Sequence, residues 1–233
     1  YNPGAVIIYG GTGPQFIGNG QPNVAGTLTI IDNPAGVSLN NTSATTVTIG
    51  GNLEVQTGNL TVELDGLDIG ENLNLSGGNV LFTTVGTARI ISVGGNILLD
   101  GGDIVVSSGT ANATLIINGD ITGGNFISFT GANSNLIING TGDLSIDFPL
   151  PSATTIEALT INRAGSGLVT FNEDLIVTAG TTLTSGLVRM NANLTAGGAL
   201  NLGAGTTLFF EGQTLELRNQ LTGTGLLSAD ASS

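Results

Sequence analysis

The run Gly95-Asn96-Ile97-Leu98-Leu99-Asp100-Gly101-Gly102-Asp103-Ile104-Val105-Val106 states one phrase twice: glycine, then Asn or Asp, then alternating apolar residues. Outward from this run, the first copy returns at Gly51-Asn52-Leu53, Asn72-Leu73, Gly119-Asp120-Ile121 and Gly142-Asp143-Leu144. The second returns at Gly58-Asn59-Leu60, Gly78-Asn79-Val80 and Gly124-Asn125-Phe126. Both series share a period of about twenty-two residues, and two interlaced series with one period describe a solenoid. Alternation such as Leu53 and Val55 about Glu54 is the period-two signature of a short strand with one face turned inward. A third series completes each turn, through Val47 and Ile49, Leu67 and Ile69, Ile91, Leu115 and Ile117, Leu136 and Ile138, then Leu159 and Ile161.

Three strands per turn predict an all-β, right-handed parallel β-helix: a three-sided β-solenoid of about ten coils of 19–24 residues. The right-handed form is favoured because coil length drifts and the corners hold Asn or Asp, whereas left-handed solenoids use strict six-residue repeats with small corner residues. Each coil advances the axis by about 4.8 Å, so the rod is on the order of 50 Å long.

Asn suits such corners because it tolerates the left-handed conformation, and its amide can donate to one stacked neighbour while accepting from another. Asn52, Asn72 and Asn96 are expected to form one ladder and Asn59 and Asn79 a second, with Asp120, Asp143, Asp103 and Asn125 at the remaining corners. Each such bond contributes about 1 kcal/mol, against about 1.5–3 kcal/mol for a fully buried Leu, Ile or Val. The ladders therefore fix register and the interior supplies stability.

The chain reads as one continuous solenoid over residues 1–233, with a module seam near 148–155 where Phe148-Pro149-Leu150-Pro151 interrupts the pattern. The first module is 1–147 and the second 156–233. The stretch from Leu159-Thr160-Ile161-Asn162 to Phe171 echoes Leu28-Thr29-Ile30-Ile31 to Leu39, 131 positions earlier.

Composition excludes several partners. Charged residues are 9% of the chain, the formal net charge is -13, and the four cations are Arg89, Arg163, Arg189 and Arg218. Four arginines cannot neutralise a run of phosphates, so neither nucleic acid nor an anionic membrane surface is an expected partner. No run approaches the roughly 18 apolar residues of a membrane span. Tyr1-Asn2-Pro3-Gly4 does not open a signal peptide, so the segment is expected to be a mature or internal part of something longer. The absence of Cys removes disulfides and thiolate metal sites.

The phrases Val6-Ile7-Ile8-Tyr9-Gly10-Gly11-Thr12-Gly13-Pro14-Gln15, Leu28 to Leu39, Thr154 to Phe171, and Gly180-Thr181-Thr182-Leu183-Thr184-Ser185-Gly186 resemble the large repetitive surface proteins of Bacteroidetes bacteria. The resemblance implies export by the type IX secretion system and a place at the cell surface or outside the cell. It covers most of the chain, but its motifs concern solenoid phrasing and bring no functional residue with them.

Catalytic chemistry has little to work with. There is no His and no Lys, which removes the commonest general base and the compact amine. Dense carboxylates occur only at Glu173-Asp174 and across Glu63, Asp65, Asp68 and Glu71. Adjacent Glu173 and Asp174 point to opposite faces of a strand, and the ordinary reading of such a pair is two solvated corner residues. The second group is the one place for calcium, a hard cation that takes six to eight oxygens, but the calcium nonapeptide is absent and no cofactor is expected. On the second face Leu81, Val105 and Ile127 are expected to stack outward as a narrow apolar stripe, a surface that can mark a partner site.

The expectation is a non-enzymatic structural or adhesive segment of an exported bacterial surface protein or filament. Its partners would be further coils of the same polypeptide, end-to-end copies of itself, or a glycan or other cell-surface component. The alternative is a carbohydrate-active β-helix enzyme or carbohydrate-binding module. Against it stand two Tyr, eight Phe and no Trp.

Overall fold

The computed structural model describes residues 2–16, 26–39, 46–83, 88–107, 109, 111–131, 133–146, 154–165, 167–210 and 212–229. These hold twenty-eight strands and no helix, hence none long and apolar enough to cross a membrane. Every strand pairing is parallel, as in Leu53↔Leu73↔Ile97↔Ile121 on one face and Leu67↔Ile91↔Leu115↔Leu136↔Leu159 on another. The chain is a parallel β-helix of about nine complete turns, with a partial turn at each end.

The first face runs from the strand Val6–Gly10 through Leu28–Asp32, Asn52–Thr57, Leu73–Leu75 and Ile97–Leu99 to Ile121–Gly123. It continues through Leu144–Ile146, which lies against Ile121–Gly123, to Leu226–Ser228. The second face passes through Val37–Leu39, Asn59–Val62, Asn79–Thr83, Ile104–Ser107 and Ile127–Thr130, and the third through Thr46–Ile49, Gly66–Ile69, Arg89–Val93, Ala113–Ile117 and Ser134–Thr141.

In two coils the corner between the second and third faces is no longer a break. Thr154–Ala164 and Leu175–Ser185 are single eleven-residue strands that bend across it, with a register shift at Ile156/Ala158. The ladders divide again at Leu194–Ala196 and Leu200–Leu202.

All three faces turn alternate residues inward. Leu53, Leu73 and Ile97 meet Leu60, Val80 and Ile104 and Ile69, Val93 and Ile117 in one interior, each at most 1% exposed. Aromatics enter it at Phe82, Phe171 and Phe210. The interruption Phe148-Pro149-Leu150-Pro151 lies outside the described residues. The two echoing phrases occupy different corners: Leu28–Asp32 leads from the first face to the second, whereas Thr154–Ala164 leads off the third face onto the first.

Two expected positions are displaced by one cause. Leu53 to Leu60, Leu73 to Val80 and Ile97 to Ile104 are each seven residues, but Ile121 to Ile127 is six. With one residue fewer in that corner, Asp103 aligns with Phe126 in place of Asn125, and Ile104 pairs with Ile127. Ile127 is therefore 1% exposed and belongs to the core, and the outward partner of Val105 is Ser128.

Candidate functional site

The corner between the third and first faces carries a continuous ladder. Asn52 Oδ1 accepts from the Asn72 backbone N–H at 3.1 Å and from its amide at 2.9 Å; Asn72 Oδ1 accepts from Asn96 N–H at 2.7 Å, and Asn96 Oδ1 from Asp120 N–H at 2.9 Å. Glu71 closes the start of the ladder, its two oxygens accepting from the Asn52 amide at 2.8 Å and Gly26 N–H at 2.7 Å. Further on, Asp143 Oδ1 accepts from Leu168 N–H at 2.9 Å. Each side chain thus holds the backbone of the following coil, which is stronger specification of register than amide stacking alone.

The corner between the first and second faces repeats the device. Asn79 donates to Asn59 Oδ1 at 3.2 Å, Asn79 Oδ1 accepts from Asp103 N–H at 2.8 Å, and Asp103 Oδ1 accepts from Phe126 N–H at 2.8 Å. Asn125 is outside this ladder; its backbone N–H donates to Leu99 O. Farther along the same corner Asp174 Oδ1 accepts from Asn193, and Asn193 Oδ1 from Thr214 N–H at 3.0 Å. A further ladder on the third face links Asn118 to Asn139 and Asn162 to Ser185. Sequence reading passed over both, although Ile116-Ile117-Asn118-Gly119 and Ile137-Ile138-Asn139-Gly140 repeat one tetrad.

The acidic group at 63–71 does not converge. Glu63 and Asp65 are exposed at the corner between second and third faces, Asp68 faces outward in the strand Gly66–Ile69, and Glu71 is engaged at the next corner. Among the described residues no three His, Cys, Asp or Glu side chains cluster as metal ligands. The charge beside Glu63 and Asp65 is Arg89, 7% exposed, whose Nη2 donates to Glu63 O at 2.9 Å. Burial lowers the Arg89 pKa, opposed by the fields of Glu63 and Asp65, which raise it.

Of the expected apolar stripe, Leu81 and Val105 remain, half-buried and in register, with Thr61 on one side and Ser128 on the other. Two residues do not make a stripe. The apolar outward surface lies instead at the start of the first face, where Val6 pairs with Leu28 and Ile8 with Ile30; Val6 is 55% and Ile8 63% exposed.

A concavity of about 470 Å³ lies on the first face beside the Asn52–Asn72–Asn96 ridge. Its floor includes the outward column Glu54, Asn74, Leu98 and Thr122, one residue per coil. Glu54 is its single carboxylate among the described residues, bonded to the Gln56 amide at 3.0 Å. Among the described residues no aromatic ring lines it. No protein-family model, curated protein or solved structure matches the chain.

Proposed function

We propose that the chain is a non-enzymatic rod segment of a long exported bacterial surface protein or extracellular filament. It works outside the cell by holding other regions at a distance or by bundling with neighbours. The observation that supports this reading is the axial continuity of the interior. The first face carries eleven described strands, so the rod is about 48 Å long. Its polar corner groups are spent on coil-to-coil bonds, so they serve rigidity and not a reacting centre.

The partners that suit the rod are further coils, of the same polypeptide or of a second copy. Leu215, Leu217, Leu221 and Leu227 continue the inward columns of Leu194, Ala196, Leu200 and Leu208. Leu217 is 37% and Leu221 45% exposed, and an added coil would cover them.

Electron microscopy and sedimentation of the native assembly test the proposal, with rods or end-joined rods expected. The second reading, a carbohydrate-binding or carbohydrate-active β-helix, is favoured by the groove on the first face. Hydrolysis needs two positioned carboxylates, and among the described residues the groove holds only Glu54. Release of new reducing ends from any polysaccharide would overturn the rod proposal in favour of the enzyme, and saturable binding on a glycan array would favour the binding module.

A further inference from the structure

A smaller notch of about 280 Å³ lies on the third face, where the corner is bent into a continuous strand. There two residues, Thr178 and Ala179, oppose the single Glu157. A bulge of this kind re-aims a side chain. Ala158 and Ala179 give the notch a shallow apolar floor with Ile137, and Thr114, Asn135, Glu157 and Thr160 supply its polar wall.

Asn135 Oδ1 and Glu157 Oε2 are both buried, and neither has a hydrogen-bond partner among the described residues. Thr114 and Asn135 are in register, as are Asn135 and Ala158, the neighbour of Glu157, so Asn135 and Glu157 line the same notch from consecutive coils. A buried acceptor without a donor is costly, and two of them on one notch ask for a single ligand with several N–H donors.

We propose that this notch receives a lysine side chain of a different protein: the Glu157 carboxylate and the Asn135 amide turn outward to accept from its ammonium, and its methylene stem lies on Ala158, Ala179 and Ile137. An ammonium carries three donors on a compact charge and suits acceptors presented from two coils, whereas the flat arginine fork suits one planar carboxylate. Calcium requires six to eight oxygens, more than converge here. A sugar ring finds no aromatic platform among the lining residues. The net charge of -13 draws cations towards the rod. The chain has no Lys, so another copy of this segment cannot supply the side chain, and the partner proposed is a different protein. This goes beyond the rod proposal and does not depend on it.

The test is NMR titration of the isotopically labelled protein with n-butylammonium, the lysine side chain without its backbone. Saturable shifts are expected at the amides of Asn135, Glu157 and Ala158, with none from tetramethylammonium, which has the charge but no donors. Glu157→Gln and Asn135→Leu should each weaken binding about tenfold. Each variant is paired with a thermal melt, and Asn135→Leu serves where Glu157→Gln fails to fold. Equal responses to the two ammonium ions, or unchanged affinity in the folded variants, would overturn the proposal. So would shifts at these amides from N-acetylglucosamine oligomers but not from butylammonium.

Discussion

Arg163 Nη2 lies 3.4 Å from Asp120 Oδ1, although 43 residues separate them along the chain. The Arg163 side chain is wholly buried, while that of Asp120 is 52% exposed. The guanidinium runs back under the corner and donates to the carbonyls of Thr141 at 2.8 Å, Asn139 at 2.9 Å and Gly142 at 2.9 Å, with Gly119 at 3.4 Å. Gly140, at φ +100°, faces Arg163 across the ladder, and a Cβ added there would fall on the carbonyl oxygen of Asn118. Where the Asn ladder stops at Asp120, one arginine holds three successive corners together.

Removing this staple exposes its worth. Arg163→Met leaves several corner carbonyls without a donor, and a loss on the order of 3–5 kcal/mol is expected, read from the urea midpoint. Arg163→Lys should recover only part, because one ammonium cannot reach the same set of acceptors. Asp120→Asn should cost less than about 1 kcal/mol, since the carboxylate is half in water.

The second buried arginine should behave in the opposite way. Arg89 Nε and Nη1 have no partner among the described residues, and the bond from Nη2 to Glu63 O and the fields of Glu63 and Asp65 offset the burial only in part. Its pKa is lowered in the folded state, so the unfolded chain binds the proton more tightly. Keeping it charged therefore works against folding at every pH below that window, which lies in strong alkali. Replacement of a poorly satisfied buried charge by an apolar side chain of similar volume is often neutral or stabilising. Arg89→Met should leave the thermal midpoint unchanged or raise it, and a large drop would show that the corner at Glu63 and Asp65 depends on that charge.

The strand pattern was legible because alternation and coil period are local properties that repetition averages over many coils. Leu53, Leu73 and Ile97 could be placed inward from spacing alone, and so could the ladder from Asn52 to Asn96. Asn125 and Ile127 could not, because one residue fewer in one corner shifts everything after it, and a shift by one exchanges inner and outer faces. Arg163 was illegible for another reason: its acceptors are backbone carbonyls on coils more than twenty residues away, and no residue pattern marks a carbonyl. The notch at Glu157 depends on a bulge, which is a property of the neighbouring coil and not of the glutamate's own sequence.

The relative weight of core and ladder is testable at adjacent residues. Ile97 is fully buried, whereas Asn96 is at the surface and contributes one acceptor to Asp120 N–H at 2.9 Å. Asn96→Ala should cost about 1 kcal/mol. Ile97→Asp buries an unpaired carboxylate among aliphatic side chains and should prevent folding or cost well over about 4 kcal/mol. Denaturant unfolding of the two variants decides between them, and comparable losses would mean that the ladder carries stability as well as register.

Chelation tests the acidic group directly. Because Glu63 and Asp65, Asp68 and Glu71 are distributed over two corners and a face, the expected effect of EDTA on the thermal midpoint is none. A fall of several degrees that calcium restores would show that a cation gathers ligands the folded chain holds apart.

The bent strand leaves no room for a side chain at the following corner. A Cβ added at Gly198 would fall on the carbonyl oxygen of Ala179, a backbone atom of the bulge in the preceding coil. That oxygen cannot swing aside like the end of a side chain, so Gly198→Ala must push two coils apart or open the bulge, at about 3 kcal/mol or more. At Gly124, in the shortened corner of an earlier coil, an added Cβ meets nothing within 4 Å, and Gly124→Ala should lie within about 0.5 kcal/mol of the parent protein. Thermal melts of the two variants share one chemical change and differ only in the distance to the neighbouring coil. A mild effect at Gly198 would mean that the bulge yields readily, and the notch that holds Glu157 would then be free to change shape with it.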